Sequence, residues 1–258
     1  MSLVQNPVLI GCLAAFLSSG CYPAREPRWG NCGEGFAFDG EQCVLLTTAP
    51  KPEDPLSGGY QLTTVAADGA VMVGQAVFEP LGPSIYRVRY DVGGASEEGI
   101  ASLHDGVVSV GVGGADTGVV EYQHVGGGRL SGTWLFHGNA QRGTEVLGGG
   151  NADWSGVYNI ETGVGPDGAT YGGSCDLVVT GDLHTLLWHV QGPGGTPDTY
   201  RGLGLRSGNR LSVGFGTGAN TPFSVAQYRV EAGGRKLVGR RASWVTTSPK
   251  AMPETLTR

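Results

Sequence analysis

The chain is 258 residues long and contains 47 glycines and 14 prolines, about twice the combined share that is ordinary for soluble proteins. Because only 16% of the residues are charged, this composition excludes both a helical bundle and a highly charged disordered chain, and it favours a turn-rich all-β protein. A net charge of -6, from 17 basic and 23 acidic side chains without a basic cluster, argues against nucleic acid and anionic lipid as partners.

The first 20 residues form a candidate export signal. They carry no charged side chain and include an apolar run over 8–17, which is too short for a membrane-spanning helix. Small residues and then Cys21 follow, in an order that resembles a bacterial lipobox, where the cysteine becomes the lipid-modified first residue. The sequence therefore predicts a signal peptide over 1–20 and lipidation at Cys21, with ordinary secretion and an uncleaved anchor as alternatives.

Three further cysteines follow this segment. Cys32 and Cys43 bracket a turn-rich loop that can bring its ends to bridging distance, so we predict a disulfide between them in an oxidising compartment. Cys175 has no histidine-containing motif around it, and we expect a buried thiol rather than a nucleophile. Prolines alternate with charged residues over 50–55 and prevent helix and ladder pairing. We therefore predict a lipid-anchored disulfide loop and Pro-rich linker over 21–56.

An internal repeat organises the rest of the chain. Segments of the first half recur in the same order about a hundred residues later, and 99–113 matches 202–216 without a gap. A repeat of this length indicates two copies of one fold. We place repeat A at 57–148 and repeat B at 154–257.

Apolar residues alternate with a period of two within each repeat, as in half-buried strands. Glycine-rich turns separate these runs, and short connections make neighbouring strands antiparallel. Closure of such a meander into a barrel hides both of its edges. We therefore predict an all-β protein with two tandem antiparallel up-and-down β-barrels of about eight strands, in preference to open sandwiches. The strands of repeat A are predicted to start near Tyr60, Val71, Tyr86, Gly99, Val107, Val119, Arg129 and Thr144.

Two kinds of recurrent residue have structural interpretations. Gly111 of repeat A recurs as Gly214 of repeat B, and a glycine inside a strand indicates a sharply coiled strand or the close approach of another backbone. Glu145 and Glu254 recur on the last strand of their repeats. We expect these carboxylates to hold a turn by accepting hydrogen bonds from backbone N–H groups.

No familiar catalytic or metal-binding motif is present in the sequence. His184 and His189 are five residues apart and fall on opposite faces of a strand. Glu97 and Glu98 are expected in a solvated turn. The formal G-x-G-x-x-G at 163–168 lacks a following helix pattern and predicts a hairpin turn. We therefore expect a protein that is not an enzyme and holds no cofactor or metal.

Three aromatic positions recur in both repeats and are the remaining candidate site. One interpretation is core packing with hydrogen-bonded phenol groups. The other is an aromatic-lined pocket, because cavities for small ligands favour such walls. The two interpretations differ in whether the barrels are hollow. The candidate pocket residues are Tyr60, Tyr90, Tyr122, Tyr158, Trp188 and Tyr228.

The repeat resembles a tandem β-repeat of uncharacterised exported bacterial lipoproteins, some of which are labelled fibronectin-binding. Repeat B departs from that pattern, because Arg240 and Arg241 stand where the family has G-x-W. The barrel is also similar in architecture to lipocalins and avidins. The residues that carry the resemblance are Tyr60, Tyr90, Tyr122, Leu130, Gly132, Trp134 and Glu145 in repeat A, and Tyr158, Leu211–Gly216, Tyr228, Leu237, Gly239 and Glu254 in repeat B.

The leading hypothesis is a monomeric, non-enzymatic lipoprotein of the cell envelope, exposed on the surface or in the periplasm, or else secreted. Its two barrels would bind an extracytoplasmic partner, for example a host or matrix protein, and it would touch a membrane only through its N-terminal lipid. The alternative is a carrier of small apolar ligands of the lipocalin or avidin type. A hydrolase or isomerase is disfavoured because no acid–base pair is placed on one predicted face, and a membrane porin because most strands are too short to span.

Overall fold

The computed structural model describes residues 36–38, 43–45, 54–66, 68–192, 195, 197–218, 221–244 and 249–258. Cys21 and Cys32 lie outside them, and so do the predicted signal peptide, lipidation site and disulfide. The chain divides into two compact units, 1–53 and 54–258. In the first unit, strands β1 (Phe36–Phe38) and β2 (Cys43–Leu45) pair in antiparallel orientation. No helix within the described ranges is long and apolar enough to cross a membrane.

Sixteen strands form the described part of the second unit, eight in each repeat, as the period-two pattern predicts. A short 3-10 turn over Ala232–Gly234 is added near the end of repeat B. The strands of repeat A are β3 (Gly58–Val65), β4 (Val71–Gly82), β5 (Ile85–Val92), β6 (Ala95–His104), β7 (Val107–Gly113), β8 (Thr117–Gly126), β9 (Arg129–Phe136) and β10 (Gly143–Gly148). The strands of repeat B are β11 (Gly156–Val164), β12 (Thr170–Thr180), β13 (Leu183–Gln191), β14 (Pro197–Ser207), β15 (Arg210–Thr217), β16 (Phe223–Glu231), β17 (Lys236–Ser243) and β18 (Met252–Thr257).

These strands close into two antiparallel eight-stranded barrels, which confirms the predicted fold class. Barrel I consists of β3–β7 and β16–β18, and barrel II consists of β8–β15. Each barrel therefore takes five strands from one repeat and three from the other. The repeat boundaries at 57–148 and 154–257 describe the duplication of the sequence, but they are not the boundaries of the barrels.

The exchange of strands is visible in the register of the closing pairs. In barrel I, β7 pairs with β16 and β18 pairs with β3, with Leu256 opposite Leu62. In barrel II, β8 pairs with β15, with Val120 opposite Val213. The short connection over 114–116 predicts a hairpin of β7 with β8. The chain instead crosses there from one barrel to the other, so every strand edge still finds a partner.

Glycines allow the backbones to approach each other where the chain crosses. A Cβ atom on Gly111 would lie 2.1 Å from the carbonyl oxygen of Gly118, and one on Gly214 would lie 2.6 Å from that of Ser224. Both distances are shorter than a Cβ tolerates. The close backbone approach predicted from the recurrence of these glycines is confirmed.

A buried polar network lies at the centre of the contact between the barrels. The hydroxyls of Ser109 and Ser212, which occupy equivalent positions in the two repeats, are 2.6 Å apart. Ser109 donates to Glu121 at 3.0 Å, and Gln227 donates to Ser212 at 2.9 Å. Arg210 forms an ion pair with Glu121. Because Glu121 and Gln227 are also equivalent in the repeats, the network has an approximate twofold symmetry.

Two apolar clusters flank this network and are equivalent in the same way. Each combines outward-facing side chains of both barrels, so burial of their surface contributes to the association of the barrels. One contains Ile85, Ile100, Val119 and Leu135. The other contains Leu183, Leu203, Leu205, Phe223, Val225 and Ala242.

The exchange predicts which engineered cysteine pair forms a disulfide. Thr63 lies opposite Thr255 across the β3–β18 ladder, whereas barrels built from single repeats would place Val146 at that position. In a background without the natural cysteines, we expect Thr63→Cys with Thr255→Cys to oxidise and Thr63→Cys with Val146→Cys to stay reduced. Mobility on a non-reducing gel distinguishes them. A disulfide only in the second pair would disprove the exchange.

The crossing point predicts a matched pair of glycine substitutions. Gly111→Ala drives a methyl group into the backbone at Gly118, and we expect it to lower the free energy of unfolding by about 2–3 kcal/mol. Gly114→Ala is the control, because a Cβ atom there has no neighbour within 4 Å. Denaturant unfolding measures both variants, and equal stability of the two would contradict the crossing geometry.

Candidate functional site

Each barrel is closed at one end by a buried apolar side chain, which we call the plug. The plug comes just before the first strand of a repeat in the sequence. In barrel II the plug is Trp154, which is 2% exposed and whose carbonyl oxygen accepts a hydrogen bond from the Tyr158 hydroxyl at 2.8 Å. In barrel I it is Leu56, which is fully buried although the sequence predicts it within the linker. Tyr60 donates to the carbonyl oxygen of Gly234 at 2.7 Å beside it. Any ligand cavity is therefore expected at the opposite end.

A hydrogen-bonded carboxyl group forms the floor above the plug in barrel II. Glu145 accepts hydrogen bonds from the Tyr122 hydroxyl and, at 3.3 Å, from the Tyr171 hydroxyl. The indole N–H of Trp188 donates to the Tyr122 oxygen at 3.1 Å, and that of Trp134 donates to the Tyr171 oxygen at 2.8 Å. Four aromatic side chains thus hold one carboxyl group in place inside the barrel.

Burial is the main cause of the shifted pKa values of Glu145 and Tyr122 in this floor. It raises the pKa of Glu145 above its ordinary value, although the hydrogen bonds from Tyr122 and Tyr171 oppose the rise. Burial and then the nearby Glu145 carboxylate raise the pKa of Tyr122 well above its ordinary value, so its hydroxyl stays a donor. None of the basic side chains described in the structure forms an ion pair with Glu145.

Barrel I repeats the same floor. The Tyr228 hydroxyl donates to Glu254, and the hydroxyls of Tyr90 and Tyr228 are 3.2 Å apart. The prediction that Glu145 and Glu254 hold turns through backbone N–H groups is therefore wrong. Strand alternation turns both carboxyl groups inward, where phenol groups and not free backbone donors surround them.

The floor of barrel II lies at the base of an aromatic cup. The cup has a volume of about 480 Å³ and is bordered by residues of 139–141 and 165–169 and by Gly192 and Asp198. Its rings pack edge to face, with 5.2 Å between the centroids of Phe136 and Phe215 and 6.1 Å between those of Tyr200 and Phe215. The aromatic residues that line it are Trp134, Phe136, Tyr171, Trp188, Tyr200 and Phe215.

The corresponding end of barrel I is lined by charged side chains instead. Its cavity of about 550 Å³ is bordered by Glu97, Arg241, Lys250 and Glu254. Arg241 forms an ion pair with Glu97, and its guanidinium carbon lies 5.1 Å from the centroid of the Tyr90 ring. Glu97, predicted in a solvated turn, is part of strand β6.

The two cavities occupy equivalent places, as the strand registers show. Tyr200 lies opposite Trp188 in barrel II, and Glu97 lies opposite Tyr90 in barrel I. Gly143 lies opposite Trp134, and Met252 lies opposite Arg241. The same fold therefore carries an aromatic cup in one barrel and an ion pair in the other. The equivalent side chains are Trp134 and Arg241, Phe136 and Ser243, Tyr171 and Met72, Tyr200 and Glu97, and Phe215 and Val112.

Of the six predicted pocket residues, only Trp188 lines the cup. Tyr60, Tyr90, Tyr122, Tyr158 and Tyr228 are buried and form the core, plug and floor contacts of the two barrels. Recurrence selected the side chains that both barrels need for packing. The cup residues Tyr171, Tyr200 and Phe215 differ between the repeats, and that difference, on inward-facing strand positions, is the signal that finds them.

The remaining predictions concern Cys175, two histidines and the segment 163–168, of which Gly165, Pro166 and Asp167 border the cup. Cys175 is a free, buried thiol, and burial raises its pKa well above the ordinary value. His184 is buried and His189 is exposed, as expected from opposite faces of β13. Burial lowers the pKa of His184 to about 4. The segment 163–168 is the β11–β12 turn, in which Gly165 donates to the Ala169 carbonyl oxygen at 2.7 Å.

The described side chains include no group of three or more acidic, histidine or cysteine residues able to hold a metal ion. Comparison of the chain with protein-family models, with curated proteins and with solved structures found no match. The resemblance to exported bacterial β-repeat lipoproteins stays a prediction. The cup is therefore interpreted from its own chemistry.

The raised pKa of Glu145 predicts how its contribution to stability depends on pH. The folded chain binds the carboxyl proton more tightly than the unfolded chain, whose pKa is about 4.3. The resulting stabilisation is present below that value and is lost as the pH rises through the pKa of the folded state. Relative to Glu145→Gln, the natural protein should therefore lose stability as the pH rises above about 4.

Denaturant unfolding of both proteins across this pH range measures the difference. Glu79→Gln, which removes an exposed carboxylate from barrel I, controls for the change in net charge. If the natural protein instead became more stable than Glu145→Gln as the pH rises, the carboxyl group would be stabilised in its charged form. The prediction would then be wrong.

Proposed function

We propose that the protein is a binding protein that takes one small molecule with an apolar or aromatic body into the cup of barrel II. The observation that supports this is a cavity of about 480 Å³ that is lined by six aromatic side chains and by Glu145. Known small-molecule sites have volumes of about 300–1,000 Å³ and combine apolar walls with a few polar groups. The cup matches that description.

The walls of the cup are held in place by contacts among their own side chains. Trp134 and Tyr171 are joined by a hydrogen bond of 2.8 Å, and Phe215 contacts both Phe136 and Tyr200 edge to face. Binding therefore costs little conformational entropy on the side of the protein. Rigid aromatic walls also give a ligand of planar shape a large contact area.

This proposal corresponds to the small-ligand alternative and not to the host-protein or matrix-protein hypothesis. A cup of this size admits a small molecule and excludes the surface of a folded protein. We further propose that binding takes place outside the cytoplasm and without catalysis. The segment that supports export, 1–21, lies outside the described residues, and this part of the proposal rests on the sequence alone.

Binding of N-phenyl-1-naphthylamine, an uncharged dye that fluoresces in apolar sites, tests the proposal. We expect saturable binding of one dye per chain, with energy transfer from tryptophan because Trp134 and Trp188 line the cup. Tyr200→Ala removes part of the wall and should weaken binding about tenfold.

Glu97→Ala is the matched control, because Glu97 occupies the equivalent position in barrel I. We expect the affinity for the dye to be unchanged in this variant. Lack of saturable binding by the folded natural protein, or equal affinities of the natural protein and Tyr200→Ala, would overturn the proposal.

A further inference from the structure

Barrel I contains a cation of its own, Arg241, in the wall of the cavity that corresponds to the cup. The guanidinium group of Arg241 lies over the face of the Tyr90 ring, 5.1 Å from its centroid, and pairs with Glu97. The side chain of Arg241 is only 13% exposed. Its charge also acts on Glu254, where it opposes the rise in pKa that burial causes. The cation inside this barrel thus has three neighbours: the Tyr90 ring, the Glu97 carboxylate with which it pairs, and the buried Glu254 nearby.

Barrel II retains two of these three neighbours, the aromatic face and the buried carboxyl group, whereas Tyr200 stands in place of the ion-pair partner Glu97. Trp188 stands in place of Tyr90, and Glu145 stands in place of Glu254. The position of Arg241 is occupied by Trp134, whose indole forms part of the wall and donates to Tyr171. Tryptophan presents the aromatic face that attracts cations most strongly. The cup therefore has no counterpart of the Arg241 charge, and a cationic ligand would supply it.

The charges around the cup have one sign. Glu145 lies at its base, and Asp167 and Asp198 lie at its rim. No basic side chain is found among the described residues that line it. Arg142, near the rim in sequence, donates instead to the carbonyl oxygens of Pro83 and Ser84. Acidic groups at the rim and base attract a cation into the cup.

We infer that the ligand of the cup is an organic cation, an ammonium or quaternary ammonium group on a small apolar body, bound over Trp188 beside Glu145. The inference rests on the proposed function of the cup. Quaternary ammonium groups suit such a site, because their charge is spread over alkyl groups that pack against aromatic rings and need no hydrogen-bond acceptor.

Three probes of similar shape and different charge test the inference. They are benzyltrimethylammonium, its uncharged isostere neopentylbenzene, and phenylmethanesulfonate as an anion. Each is titrated against the full chain loaded with N-phenyl-1-naphthylamine, and displacement of the dye is measured. We expect the cation to bind at least about tenfold more tightly than the isostere and the anion to be the weakest of the three.

Two variants locate the site of this preference. In Glu145→Gln the ratio between the affinities for the cation and the isostere should fall several-fold, whereas Glu254→Gln, the equivalent change in barrel I, should leave the ratio unchanged. Thermal unfolding verifies that both variants are folded. Trp134→Arg introduces the guanidinium group of barrel I into the cup and should abolish displacement of the dye by the cation.

The outcomes separate the two proposals. Equal affinities for the cation and the isostere would overturn the cation inference and leave the proposed function intact, since both probes would still displace the dye. Failure of the dye and all three probes to bind would overturn the proposed function and the inference with it. A cation preference that is unchanged in Glu145→Gln would overturn the assignment of this carboxyl group as the counter-charge.

Discussion

Closure of each sheet by strands of the other repeat is the constraint on which the structure depends. An eight-stranded barrel has no free edge only if its first and last strands pair, and here those pairs join β7 to β16, β18 to β3 and β15 to β8. Neither repeat completes its own barrel. The crossing brings backbones so close that Gly111 and Gly214 admit no Cβ atom, and it buries the hydroxyls of Ser109 and Ser212 against each other. The duplication is thus held together as a single folding unit.

The strands could be predicted from the sequence because the alternation of apolar residues and the glycine turns are local signals. The exchange of strands between the two repeats could not be predicted in this way. Both repeats offer a last set of three strands with the same inward pattern, for example Tyr122 and Tyr228 opposite glycines, so either set satisfies the local preferences of either barrel. The choice between them depends on contacts distant in sequence, such as those of Ser212 with Ser109 and Gln227. A short connection like 114–116 even favours the hairpin that does not form.

The candidate site likewise has a part that the sequence predicts and a part that it does not. Residues that recur in both repeats have the same structural role in both barrels. Tyr60 and Tyr158 are examples, because each donates a hydrogen bond to a backbone carbonyl group at the plugged end of its barrel. The residues that give barrel II its cup are those in which the repeats differ, among them Tyr200 in place of Glu97. Recurrence therefore locates structure, and divergence at inward-facing positions locates the specialised site. The sequence shows these differences, but it does not show which positions face inward at the open end until the register is known.

The two floors explain why a buried carboxyl group persists in both barrels. An isolated carboxylate inside a protein is costly unless hydrogen bonds and an opposite charge compensate for its lost hydration. Phenol groups donate hydrogen bonds to both Glu145 and Glu254. Only barrel I also supplies an opposite charge from within, through Arg241, whose guanidinium group lies over the Tyr90 ring. Barrel II carries Trp134 in place of that arginine, and among the described residues its carboxyl group has no partner charge. The same difference between the repeats thus adds an aromatic ring to the wall of the cup and removes a positive charge from it, and the inferred preference for a cation depends on both effects.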